Sequence, residues 1–220
     1  MCRLLLLYHP DGVDPSAHLE KFRELSRDSR EYQGHGWGCA WLDDDRQWRL
    51  YHDIRPAWED TDPVFPRTRL FVAHARSAFR DEGIAVENNM PFGDGENVFA
   101  FNGELRGVRI KEAGRIGAEK IFNYIKRFDR GDMDAAVARG VEIIQRKTRY
   151  VRAMNFFLAG RSSVYICSLF NEDPDYFQLR EAEIEGARVV CSDAYPGSGY
   201  PWRKIPNRSV ETLRIHFDGS

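Results

Sequence analysis

Residues Leu4-Leu5-Leu6-Leu7-Tyr8 form an unbroken apolar run near the start of the chain, closed at once by His9-Pro10-Asp11. A short run with no polar alternate suits a strand covered on both faces, so residues 3–8 read as a buried strand. Residues 15–30 read as a helix, with Pro15 suited to a first turn and His18, Phe22 and Leu25 at helical spacing. Residues 36–42 and 48–54 read as a hairpin across Asp43-Asp44-Asp45-Arg46, and 70–75 and 98–101 as two further apolar strands. Two helical blocks follow at 118–128 and 133–148, with Asp132 placed as the N-cap of the second. Strands return at 153–158, 163–169, 176–179, 187–192 and 210–217. Strands, then helices, then strands imply segregated layers, an α+β fold rather than an alternating parallel sheet. The loop at 195–201 is too short to divide the chain, so residues 1–220 read as one domain.

Composition narrows the class. The chain is 42% hydrophobic and 30% charged with a net charge of −2, an ordinary globular balance. Acids and bases are interspersed, which gives no footprint for nucleic acid or an anionic membrane. A membrane-spanning helix needs ~20 apolar residues, and the opening run is far shorter than that or than a signal segment. The four cysteines Cys2, Cys39, Cys167 and Cys191 are dispersed with no C-x-x-C, which fits reduced thiols and a cytoplasmic setting. The six histidines do not pair at metal-site spacing, and His35 and Cys39 lie too far apart along a strand to share one ion. No metal and no cofactor is expected.

The chemistry begins at Cys2. Removal of Met1 would leave a thiol and a free α-amine on one residue. An α-amine has a reference pKa of ~7.7–8.0 and a thiol ~8.5, so the amine can take the thiol proton as the sulfur attacks. A buried structural cysteine at a strand start is the plain alternative. Further along, Gly34-His35-Gly36-Trp37-Gly38 supplies glycines where a backbone must approach closely or take positive φ. His74-Ala75-Arg76-Ser77 ends an apolar strand with an arginine suited to a carboxylate. Asn88-Asn89-Met90-Pro91-Phe92 reads as a turn. Phe101-Asn102-Gly103-Glu104 ends another apolar run with an amide beside a glycine N–H, two donors for one developing oxyanion.

The order of these pieces resembles the small class II glutamine amidotransferases of the N-terminal-nucleophile hydrolase superfamily, whose typical run is M-C-R, G-W-G-x-A-W, H-x-R-x-A-T, N-x-H-P-F, H-N-G-E and G-x-T-D-S-E. The resemblance covers most of the chain and is strongest over residues 1–105; Cys191-Ser192-Asp193 with Trp202 is a weaker C-terminal echo. It implies a four-layer αββα sandwich, with Cys2 as nucleophile, its α-amine as base, and the Asn102 side chain and Gly103 N–H as oxyanion hole. It also implies that Arg76, beside Ser77, holds the carboxylate of a glutamine-like amide substrate. Any transfer of the released ammonia would then need a separate synthetase or acceptor protein. Several positions depart from the pattern: Phe79 replaces a threonine, Met90 and Phe101 replace histidines, and Gly117 falls where an aspartate receives the substrate ammonium. Losing one partner of a charge-assisted contact costs ~1.5–3 kcal/mol. Three readings follow: a glutaminase that recruits Glu119 or Glu112, an amidase with a changed acyl donor, or a binding module without turnover.

Overall fold

The computed structural model describes residues 1–216 except 79 and 81. In chain order its elements are β1 (Arg3–Val13), α1 (Ser16–Arg27), β2 (Trp37–Leu42), β3 (Trp48–Asp53), β4 (Thr68–Ala75), β5 (Phe92–Gly93) and β6 (Val98–Val108). Then come α2 (Gly117–Lys126), α3 (Met133–Lys147), β7 (Thr148–Ala159), β8 (Ser163–Ser168) and α4 (Pro174–Phe177). The chain finishes with β9 (Arg180–Ile184), β10 (Ala187–Cys191), β11 (Arg203–Lys204) and β12 (Ser209–Arg214). The strands form two antiparallel sheets, one ordered β11-β9-β10-β1-β4-β2-β3 and the other β12-β8-β7-β6-β5.

Side-chain alternation turns these sheets into four layers. Leu5 and Leu7 of β1, with Trp37, Cys39, Phe71 and Val189, pack against Leu19, Phe22 and Leu25 of α1. Leu4 and Leu6 point the other way, and with Leu70, Val72, Ala40 and Val190 they meet Val98, Ala100, Phe157, Val164 and Ile166 of the second sheet. That sheet's outer face, including Phe99, Phe156, Leu158 and Cys167, is covered by Ile121, Phe122, Ile125, Val137, Val141 and Ile144 of α2 and α3. The order is therefore helix, sheet, sheet, helices. The four-leucine run exists because β1 has apolar neighbours on both faces.

Two expectations need correction, and a third is met in part. Residues 176–179 are not a strand: Pro174 opens the single turn α4, and the strand β9 starts only at Arg180. The apolar run 98–101 is the first part of a longer strand, because β6 continues to pair with β7 through Asn102↔Asn155 and Gly103↔Met154, with an irregularity after Glu104. Asn102-Gly103 is therefore mid-strand rather than at a strand end. The expected last strand is found as β12 at Ser209–Arg214, and its far end at Phe217 lies outside the described residues. Asp132 does cap α3, its carboxylate accepting from Ala135 N at 3.0 Å. Among the described residues no helix is long and apolar enough to cross a membrane.

Candidate active site

The alternation that builds the inter-sheet layer also places the polar residues at its end. Cys2 continues the face of Leu4 and Leu6, His74 that of Leu70 and Val72, and Asn102 that of Val98 and Ala100. Register keeps them together, with His74 opposite both Leu4 of β1 and Gly38 of β2. His74 Nε2 lies 3.2 Å from the Phe101 carbonyl oxygen, which links β4 to β6 across the two sheets. A carbonyl only accepts, so Nε2 carries the proton. Burial first, and then the Arg76 charge, push the His74 pKa down to about 3, and the ring is neutral.

Cys2 sits against the residue after Arg76. The Ser77 N–H donates to Cys2 Sγ at 3.4 Å, and the Ser77 carbonyl lies 3.7 Å from the same sulfur. The backbone that carries Ser77 is fixed by the glycine-rich entrance to β2: Arg76 N donates to Gly36 O at 2.9 Å and His35 N to Arg76 O at 3.1 Å. Gly36 has φ +99, and a Cβ there would lie 2.2 Å from Asn89 Nδ2, so both its conformation and its surroundings demand glycine. All four cysteines are free. Burial pushes the Cys2 thiol up, while the Met1 ammonium, the Ser77 amide and Arg76 pull it back. Cys2 is 8% exposed, against 0% for Cys39 and Cys191 and 1% for Cys167. Burial lifts the Cys191 thiol to about 11 and also raises Cys39 and Cys167 well above the ordinary thiol value.

Arg76 is buried, and its guanidinium donates to the Gly83 carbonyl at 2.8 Å and reaches Asn89 Oδ1 at 3.5 Å. Both acceptors are neutral, and among the described residues no carboxylate pairs with Arg76. Asn102 is 1% exposed, and neither atom of its amide has a hydrogen-bond partner among the described residues. Leaving such groups unpaired costs ~1–3 kcal/mol each, so a buried orphan amide asks for a purpose. Gly103 is forced by contact: a Cβ there would lie 2.1 Å from the Ala153 carbonyl oxygen.

Gly117 is exposed at the first position of α2, with no atom within 4 Å of where a Cβ would stand. Glu119 is bound by Arg115 and Glu112 by Arg127, so both candidate replacement acids already have cations. Met90 and Phe101 are buried in the apolar cluster under α2. Phe79 lies outside the described residues.

Sequence reasoning missed a second set of polar residues around the first peptide. The Met1 ammonium pairs with Glu31, and Glu31 also meets Arg152 at 3.3 Å. Arg152 reaches Glu104 at 3.5 Å, two residues beyond Asn102, and also pairs with Asp173. The Met1 carbonyl accepts from Gln33 and Tyr176. Ser192 secures the next residues of β1, its hydroxyl accepting from Leu4 N at 2.8 Å and its own N–H donating to Leu4 O at 3.0 Å. Apart from Ser192, which lies in the C-terminal echo of the family pattern, these groups come from separate segments and share no spacing that a sequence pattern could expose.

Two stacked antiparallel sheets between helices form the fold of the N-terminal-nucleophile amidotransferase domains. It is shared with glutamine phosphoribosylpyrophosphate amidotransferase from B. subtilis, at TM-score 0.64 and 15% identity, covering 99% of this chain and 50% of that one. A glutamine aminotransferase class-II domain protein from Silicibacter pomeroyi aligns at TM-score 0.62 and 17% identity, covering 97% and 99% of the two chains. A predicted glutamine amidotransferase from Pseudomonas aeruginosa aligns at 0.59 and 13%, with 97% of each chain covered. The chain thus spans about half the length of the B. subtilis enzyme and nearly all of the other two. Residues 1–128, more than half of the chain, match the family described as glutamine amidotransferases class-II, and the protein belongs to that family of enzymes acting on amide bonds. No curated protein matches it.

Proposed function

We propose that this protein is an amidohydrolase that cleaves the side-chain amide of glutamine or a γ-glutamyl-type compound through a thioester on Cys2. The observation that carries the reading is Asn102: a buried amide with both atoms unpaired among the described residues, facing the same inter-sheet layer as Cys2. With Met1 removed, the Cys2 sulfur attacks the amide carbon and its α-amine accepts the thiol proton. Negative charge developing on the carbonyl oxygen is met by the Asn102 amide and the Gly103 N–H. Collapse breaks the C–N bond, and the amine returns the proton to departing ammonia. Water then resolves the thioester to the free acid.

Arg76 supports a substrate that bears a carboxylate, since among the described residues its guanidinium meets only neutral acceptors. The substrate ammonium is less well provided for. Gly117 offers no side chain, and Glu119 and Glu112 are already paired, which favours an amide lacking a free α-amine over glutamine itself. We place residues 1–220 in one amidotransferase-type domain, working in a cytoplasmic setting that keeps its four thiols reduced. The ammonia is available to a separate synthetase or acceptor protein. The test is ammonia release by Met1-free protein from glutamine and from glutaramate, beside Cys2→Ala. Release that persists in Cys2→Ala, or is absent from both substrates with wild type, refutes the reading.

A further inference from the structure

The first residue of the chain is held as tightly as a ligand. Its ammonium pairs with Glu31, and its carbonyl oxygen accepts from Gln33 Nε2 at 2.6 Å and from the Tyr176 hydroxyl. Its side chain packs on the cluster of Ala153, Phe170, Tyr176 and Phe177. Gln33 is fully buried and is itself anchored, donating to the Glu31 carbonyl at 2.7 Å. The Gln33 Oε1 atom has no hydrogen-bond partner among the described residues. Tyr176 is fixed by the Arg3 guanidinium, 4.1 Å above its ring.

These donors sit beside the nitrogen that the proposed mechanism uses as its base. Peptide geometry puts the Met1 carbonyl oxygen about 2.2 Å from the Cys2 nitrogen, so Gln33 Nε2 lies within about 5 Å of that nitrogen. Once Met1 has gone, a molecule hydrogen-bonded to the Cys2 amine at about 2.8 Å can stand where the Met1 carbonyl group stood. The nucleophile that resolves the thioester must stand there too, because it surrenders its proton to that amine.

We propose that Gln33 and Tyr176 form the nucleophile subsite of this enzyme, holding the water that hydrolyses the Cys2 thioester. The proposal rests on the reading of Cys2 given above. The water accepts the Gln33 amide proton, donates one hydrogen to the Tyr176 oxygen and the other to the Cys2 amine. One lone pair is left for the acyl carbon. As the water oxygen bonds to that carbon, the C–S bond breaks and its electron pair stays on sulfur. The proton taken by the amine then passes to the thiolate, which restores thiol and free amine and releases the acid.

The experiment separates acylation from deacylation. Met1-free wild type, Tyr176→Phe and Gln33→Ala are mixed with glutaryl-p-nitroanilide or γ-glutamyl-p-nitroanilide. First-turnover p-nitroaniline release reports acylation. Loss of the adduct mass from Cys2, followed by intact-protein mass spectrometry after removal of substrate, reports deacylation. First-turnover release is expected to stay within about twofold of wild type while the adduct lives about tenfold longer, the worth of one to two hydrogen bonds. Tyr176→Phe keeps the ring contacts, so it decides the question even where Gln33→Ala fails to fold. Adduct loss at the wild-type rate overturns the subsite and leaves the Cys2 reading intact. Acylation that falls in parallel with deacylation also overturns it, since both residues would then serve only to hold the N-terminal segment. A wild type that forms no adduct and releases no p-nitroaniline removes the Cys2 reading, and the subsite with it.

Discussion

Replacing His74 with leucine should change how stability depends on pH, and the size of the change follows from its surroundings. His74 is fully buried, its Nε2 is bound to the Phe101 carbonyl, and its Nδ1 has no partner. Burial and the Arg76 charge depress its pKa from 6.5 to about 3. A depressed group contributes stability that is complete above the unfolded value and is lost as pH falls toward the folded value, because only the unfolded chain takes up the proton. At 1.36 kcal/mol per unit, wild type should lose about 3 kcal/mol from this group between pH 7 and pH 4. Leucine cannot titrate, but it leaves the Phe101 carbonyl unpaired at a cost of ~1–3 kcal/mol at every pH. Wild type should therefore be the more stable protein at pH 7, and the gap should close or reverse by pH 4. Urea unfolding of both proteins across this range measures it, and the carboxylates that titrate in both cancel in the difference. A difference constant to within about 0.5 kcal/mol over the range would mean that His74 is not held neutral by burial, and the argument would fail.

Purified protein should lack the mass of Met1, and Cys2→Ala should lose amide hydrolysis while unfolding at the wild-type midpoint; a thiol reagent should reach Cys2 before the three less exposed cysteines. Asn102→Ala should lower kcat by ~10²–10³ with little change in KM, and an effect confined to KM would make Asn102 a substrate-positioning residue instead. Gly117→Asp, which meets no steric obstacle, should move kcat/KM toward glutamine relative to glutaramate by about tenfold. Wild type that already prefers glutamine by that factor would show that another acid receives the substrate ammonium, with Glu119 and Glu112 the first to mutate.

The layers were legible where one residue period dominates. Leu4 to Leu7 had to be a doubly covered strand, and the stripe through Ile121, Phe122 and Ile125 had to be a helix face. Failures occurred where polarity and pairing part company. Tyr176-Phe177-Gln178-Leu179 has strand-like composition, yet Asp173 at φ +47 and Pro174 turn the chain into a helical turn. The real strand, Arg180-Glu181-Ala182-Glu183-Ile184, hides behind charges that pair along the sheet, as Glu181 does with Arg188 and Arg203. Asn102-Gly103 looked like a strand end because polarity and glycine interrupt an apolar run, but β7 continues to pair across both residues.

The same contrast divides the site. Arg76 and Asn102 were legible because each closes an apolar run at a position where a core residue would otherwise stand, and Cys2 because it directly follows Met1, whose removal would join a thiol and a free amine on one residue. Glu31, Gln33 and Tyr176 interrupt nothing: they lie in a loop and a helical turn where polar residues are ordinary, and only the convergence of these segments on the first peptide gives them meaning. Met90 and Phe101 show the reverse case. Apolar side chains at these positions extend the cluster beneath α2, so what reads in sequence as a lost substrate contact is, in the fold, added core. Burial there leaves the inter-sheet positions of Cys2, His74 and Asn102 untouched. Under the proposed function, a change of acyl donor with retained cleavage chemistry fits that division better than a loss of catalysis, because Met90 and Phe101 belong to the cluster beneath α2 while Cys2, His74 and Asn102 face the layer between the sheets.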